Sequence, residues 1–174
     1  MTSAEKLVHE IEREAPPTRR LLERIPFSHK EWKPHPKSFA LGHLAQLVAI
    51  MPGWLTQMAR GVDIDLGGGP GYSFQPTDSL VAQFDSHVRE AKEALASFKD
   101  DDYARPWVLK SGDRILMTDT RGMAIRQTIN HFAHHRGQLT VYLRLLDVPV
   151  PPIYGPTADE KWGGAAGLVG GARP

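Results

Sequence analysis

Four segments of this 174-residue chain repeat apolar side chains every three or four positions, and proline or glycine bounds each of them. That period lines one face of an α-helix with side chains that must leave water together. In residues 3–25 the stripe runs through Leu7, Val8, Ile11, Ala15, Leu21, Leu22 and Ile25. Pro16 and Pro17 fall inside it, each lacking an amide donor, which predicts a kink or a break into two pieces. The stretch IPFSHKEWKPHPK, with three prolines, reads as an extended connection. Ser38 then reads as the N-cap of a second helix through Leu41, Leu44, Leu47, Met51, Leu55 and Met58, bent at Pro52 and stopped at Gly61. A third runs from Thr77 to about Lys99, with Leu80, Phe84, His87, Ala91, Leu95 and Phe98 on one face and Thr77 or Asp78 as its cap. The fourth runs from about Thr120 to Leu146.

Four helices joined by connections too long for tight hairpins predict an all-α fold, a four-helix bundle with at least one crossover. Between the third and fourth helices, WVLK and RILM flank Ser111-Gly112-Asp113 and read as a small β-hairpin arm. Residues 1–174 read as one domain. In the tail Ile153, Tyr154 and Trp162 are expected to pack down, and residues 163–174, rich in glycine, to be mobile.

Composition narrows the chemistry. With 21 Lys and Arg against 20 Asp and Glu, the chain has no field to gather phosphates, which argues against nucleic acid. There is no cysteine, so thiolate nucleophiles and sulfur-ligated zinc are excluded and histidine or carboxylate must carry any chemistry. The N-terminus lacks the apolar run of a secretory signal, so the cytoplasm is the expected compartment. LAQLVAIMPGWL is interrupted by Gln46, Pro52 and Gly53 and falls short of the roughly 20 residues of a membrane span. The glycine-rich VDIDLGGGPGYSFQP lacks the Gly-Lys-Ser/Thr ending of a phosphate loop. The four tryptophans read as packing residues.

The most informative segment is Asn130-His131-Phe132-Ala133-His134-His135-Arg136-Gly137-Gln138. His131 and His135 are one helical turn apart, so both rings project from one face, which reads as turned inward, and can aim a nitrogen at one divalent ion. The same spacing also suits two hydrogen-bonded histidines with no metal. His134 points about 100° away and reads as a surface residue, and Gly137 as the mark of a close helix approach. A third ligand must come from another helix, and His43 and His87 each lie on an apolar face that suits the role.

HFAHHRGQLTVYLRL, together with WKPHPKSFALGHLAQLVAIMPGW and VPVPPIYGPTADE, resembles the DinB-like, or YfiT-like, metalloenzyme family over most of the chain. The resemblance implies an antiparallel four-helix bundle with crossover connections, often dimeric, that holds zinc or nickel through His43, His131 and His135. It implies a metal-dependent enzyme, a thiol-dependent transferase or a hydrolase, acting on a small molecule such as a low-molecular-weight thiol that the substrate side must supply. One departure stands out: relatives carry the second-helix histidine in an LAxH segment that aligns with Leu47, one turn or about 5.4 Å beyond His43. The competing expectation is therefore a non-catalytic homodimeric bundle with an incomplete site.

Overall fold

The computed structural model describes residues 1–68, 71–73 and 75–161. Four long helices dominate: α1 (Ser3–Leu22), α2 (Leu41–Ala59), α3 (Thr77–Ala96) and α4 (Arg121–Leu145). Three short strands, β1 (Ile64–Asp65), β2 (Pro106–Ser111) and β3 (Arg114–Thr120), form one sheet in the order β1-β2-β3. The fold is therefore mainly helical with a small sheet, not purely α.

The helix ends follow hydrogen-bonding needs that period alone does not state. Thr2 caps α1 by a reciprocal pair, its hydroxyl accepting from the Glu5 amide while its own amide donates to the Glu5 carboxylate. The break expected at Pro16 and Pro17 does not form: one helix runs through both. Its two halves are pinned on one stripe, Leu7 and Ile11 before the prolines and Leu21 and Leu22 after them, all buried. Ser38 does not cap α2. Ala40 holds that position, and the first amides, of Leu41 and Gly42, donate to the carbonyls of Trp32 and Lys30 in the preceding loop. Thr77 is likewise not a cap. It lies inside α3 after Pro76, and its hydroxyl donates to the Ile25 carbonyl at 2.8 Å. Thr120 does cap α4, accepting from the Met123 amide.

The expected hairpin is present, β2 pairing antiparallel with β3 across a turn where Gly112 takes a φ of 60°. The added strand β1 pairs parallel to β2, Ile64 opposite Leu109. The Trp107 indole donates to the Val62 carbonyl at 3.1 Å and ties this sheet to the end of α2.

Helix α2 packs between α3 and α4, and α1 packs on α3 and α4 from the other side. The connections from α1 to α2 and from α3 to α4 therefore join helices that are not principal neighbours. Two apolar clusters fill the interior. One gathers Leu21, Leu44, Val48, Met51, Phe84, Phe132 and Leu139, and the other Leu7, Ile11, Leu55, Leu95, Trp107, Ile125 and Ile129. Trp32 and Trp54 pack against these clusters, as expected of packing residues. Trp162 and the tail 163–174 lie outside the described residues. Tyr154 is largely exposed; its hydroxyl is anchored to Glu14 and Arg136, and the Arg136 guanidinium lies over its ring.

One charged side chain belongs to the core. Arg136 on α4 is 1% exposed and is met by Glu14 of α1: a 2.6 Å ion pair to its carboxylate and a 3.2 Å bond to its carbonyl. Thr18 and Tyr154 supply further oxygens at 3.0 and 2.5 Å. A buried guanidinium is tolerated only when its donors are satisfied in this way. Arg136→Ala is expected to lower the unfolding free energy by about 3 kcal/mol, the low end for breaking a buried pair, because Glu14 keeps the Tyr154 hydroxyl. Denaturant titration reads this directly, and Arg136→Lys should recover only part of the loss, since an ammonium cannot span the same oxygens.

Candidate metal centre

Helix α4 places His131 and His135 one turn apart with ring centroids 4.5 Å from each other. Their Nε2 atoms converge to 2.7 Å. Burial is unequal. His135 is 8% exposed, whereas His131 is exposed, so the face expected to turn inward is half at the rim. His134 is exposed as expected, its ring edge-on to His135 at 5.0 Å. Gly137 is exposed, and a Cβ there would meet nothing within 4 Å, so it marks no close helix approach.

On its other side, Nδ1 of His135 lies 2.7 Å from the Gln138 side-chain oxygen. Aromatic rings wall the pair. Trp54 of α2 lies 6.3 Å from His131, and Phe39, in the loop before α2, lies 6.3 Å from His135. No carboxylate among the described residues forms an ion pair with either imidazole.

This environment keeps the imidazoles neutral. Burial pushes the His131 pKa below its ordinary value, and the neighbouring His135 and His134 push the same way. For His135 burial again lowers the pKa and outweighs the opposing Gln138 hydrogen bond. Neutral imidazole is the form that can ligate a metal, so the donor chemistry of the pair fits a divalent ion.

The third corner is different. His43 stands in the first turn of α2, stacked on Phe39 at 4.3 Å and against Tyr72 at 3.5 Å. Burial, then Lys33 and His135, lower its pKa. It nevertheless does not join them, for among the described residues no three histidine or carboxylate groups converge as a metal-holding set. Leu47, one turn on, is buried in the apolar cluster between α2 and α4. His87 is engaged elsewhere. Its Nδ1 lies 3.2 Å from the Ala49 carbonyl, and its ring packs over Gly53, 3.4 Å from where a Cβ would stand. The structure thus brings together two of the expected ligands, holds His43 between two aromatic rings, and commits His87 to the α2 backbone.

Sequence reasoning missed three contributors. Gln138 was detectable, since it lies three residues after His135 and so faces it on a helix. Phe39 and Tyr72 lie in irregular connections, where no period points to them.

Comparison with known proteins agrees with this architecture. The profile describing the DinB family matches residues 1–163. A crystal structure of a DinB-like protein (YjoA) from Bacillus subtilis superposes with a TM-score of 0.63 at 16% identity, covering 86% of this chain and 96% of that one. A DinB-like protein from Bacillus cereus ATCC 10987 superposes with a TM-score of 0.65 at 21% identity, covering 86% and 97%. At these identities the likeness is one of fold. The uncharacterized protein YrdA of Bacillus subtilis is 49% identical over 41 residues, which span 24% of each protein.

The lowered pKa values of His43, His131 and His135 link the site to stability. In the unfolded chain these groups take a proton near pH 6.5, and in the folded chain only at lower pH. Stability is therefore unaffected by them well above pH 6.5 and falls as the pH drops below it. In chelator-treated protein, urea midpoints measured between pH 7.5 and 5 should decline. The decline should be shallower in His131→Gln/His135→Gln, and an equal slope in both proteins would remove the link.

Proposed function

The chain belongs to the DinB family, and from that premise we propose that it is a divalent-metal-binding protein whose ion is held by His131 and His135. The observation that carries this reading is the convergence of two neutral imidazole Nε2 atoms at 2.7 Å on a helix face that offers them no carboxylate partner. His43 is the proposed third donor, and zinc or nickel, which imidazole suits, is the proposed ion. The four helices are read as the bundle with crossovers that the family likeness implies, in keeping with the packing of α1 and α2 on opposite sides of α3 and α4.

Within that reading each residue has a defined task. Gln138 orients His135. Trp54 and Phe39 flank the pair, and its partial burial favours the unprotonated imidazoles. When bound, the ion would lower the pKa of a water or substrate thiol and make it a nucleophile near neutral pH. Because the chain has no cysteine, a thiol would come from the substrate. The proposed activity is accordingly a metal-dependent transferase or hydrolase acting on a small molecule, in a homodimer.

Leu47 favours a second reading. A buried leucine where the family resemblance expects a histidine, with His43 apart from the pair, suits a homodimeric bundle that keeps the fold without a complete site. Elemental analysis of protein expressed with ample zinc and nickel separates the two. The first reading expects about one ion per chain, as for a single mononuclear site. His131→Ala or His135→Ala should lower that content at least about tenfold, and His43→Ala should weaken retention during dialysis. Trace metal in the folded wild type would leave only the second reading.

A further inference from the structure

We propose that residues 151–160 form a flap that lifts from α1 and α4 as one unit while the four helices stay folded, and that its lifting uncovers Arg136. The flap does not depend on a bound metal.

Val150 is buried in the apolar core, and among the described residues none beyond it belongs to either apolar cluster. Past this root the chain turns back on itself. The Val150 amide donates to the Asp159 carboxylate at 2.9 Å, and the Val150 carbonyl accepts from the Thr157 hydroxyl at 2.8 Å. The Asp159 and Glu160 amides donate to that same hydroxyl oxygen at 3.2 and 3.1 Å, and the Thr157 amide donates to the Glu160 carbonyl at 2.9 Å. A loop whose ends meet in this way is a compact unit of its own.

The residues that close the loop also dock it. Asp159 pairs with Arg144 of α4 at 2.5 Å, and Glu160 pairs with Arg20 and, at 2.7 Å, with Arg24 of α1. At the tip the Tyr154 hydroxyl donates to Glu14 at 2.8 Å and accepts from Arg136 at 2.5 Å. Because Asp159 and Glu160 serve both closure and docking, loss of one contact weakens the others, and the set opens together. The charge pairs are partly exposed, so salt screens them, whereas the helices rest on buried apolar faces. Opening is also tolerable for Arg136: water takes the place of the Tyr154 hydroxyl, while Glu14 and Thr18 stay bonded. A segment held by few apolar contacts and many solvent-facing hydrogen bonds belongs to the low-stability end of a fold.

Amide exchange of the full-length protein, followed by NMR and referred to each amide's intrinsic chemical rate, tests this. The amides of Val150, Thr157, Asp159 and Glu160 should report one shared opening constant, well above the constants of Leu139 and Leu143 in α4. Raising NaCl from about 0.05 M to about 0.5 M should increase the shared constant and leave the α4 amides unchanged. Glu160→Gln, which removes the charge facing Arg20 and Arg24, should increase it about two- to fivefold and blunt its salt response. Tyr154→Phe should move it in the same direction. Four unrelated constants, a shared constant no larger than that of α4, or one that neither salt nor Glu160→Gln changes, would overturn the proposal.

Discussion

The burial of Arg136 sets the rotation of α4 about its own axis, and much else in the molecule follows from that angle. A guanidinium out of water must keep its donors occupied. Here Glu14 and Thr18 of α1 and the hydroxyl of Tyr154 occupy them, while the charge rests on the ring of Tyr154 at 5.0 Å. With Arg136 turned toward α1, His135, about 100° round the helix, is turned toward Phe39 in the loop before α2. His131, one turn earlier, then meets Trp54 of α2. The histidine pair thus lies on the face of α4 that adjoins the one carrying this ion pair.

The segment after α4 reinforces this setting. Arg20 and Arg24 of α1 both pair with Glu160, and Arg144 of α4 pairs with Asp159. These contacts are partly exposed, and each is individually weak. Together they lay residues 148–160 along α1 and α4 and bring Tyr154 to the Arg136 cluster. This segment without regular structure is held by these charges together with Val150, which is buried in the apolar core.

Much of the fold was legible because helices report themselves through period. The stripes Leu7–Ile11–Leu21–Leu22 and Leu80–Phe84–Ala91–Leu95 are the buried faces observed. What could not be read depends on contacts between distant residues. Pro16 and Pro17 stay within one helix because burial on either side outweighs two lost amide bonds, and α2 starts after Ala40 because loop carbonyls replace a side-chain cap. Strand β1 is only two residues long, too short to show a period. The site divides in the same way. His131 and His135 share one helix, so their spacing fixes their meeting, whereas His43 stands on another helix and does not join them. It lies between Phe39 and Tyr72, both in irregular connections, and Leu47 fills the next turn with core.

The central claim is that this DinB-family fold directs two neutral imidazoles at one divalent ion. X-ray absorption at the metal edge of purified zinc- or nickel-loaded protein tests it most directly. The account predicts at least two imidazole nitrogens at about 2.0–2.1 Å, with the outer-shell scattering of histidine rings. A coordination sphere of oxygen alone, without imidazole scattering, would contradict it.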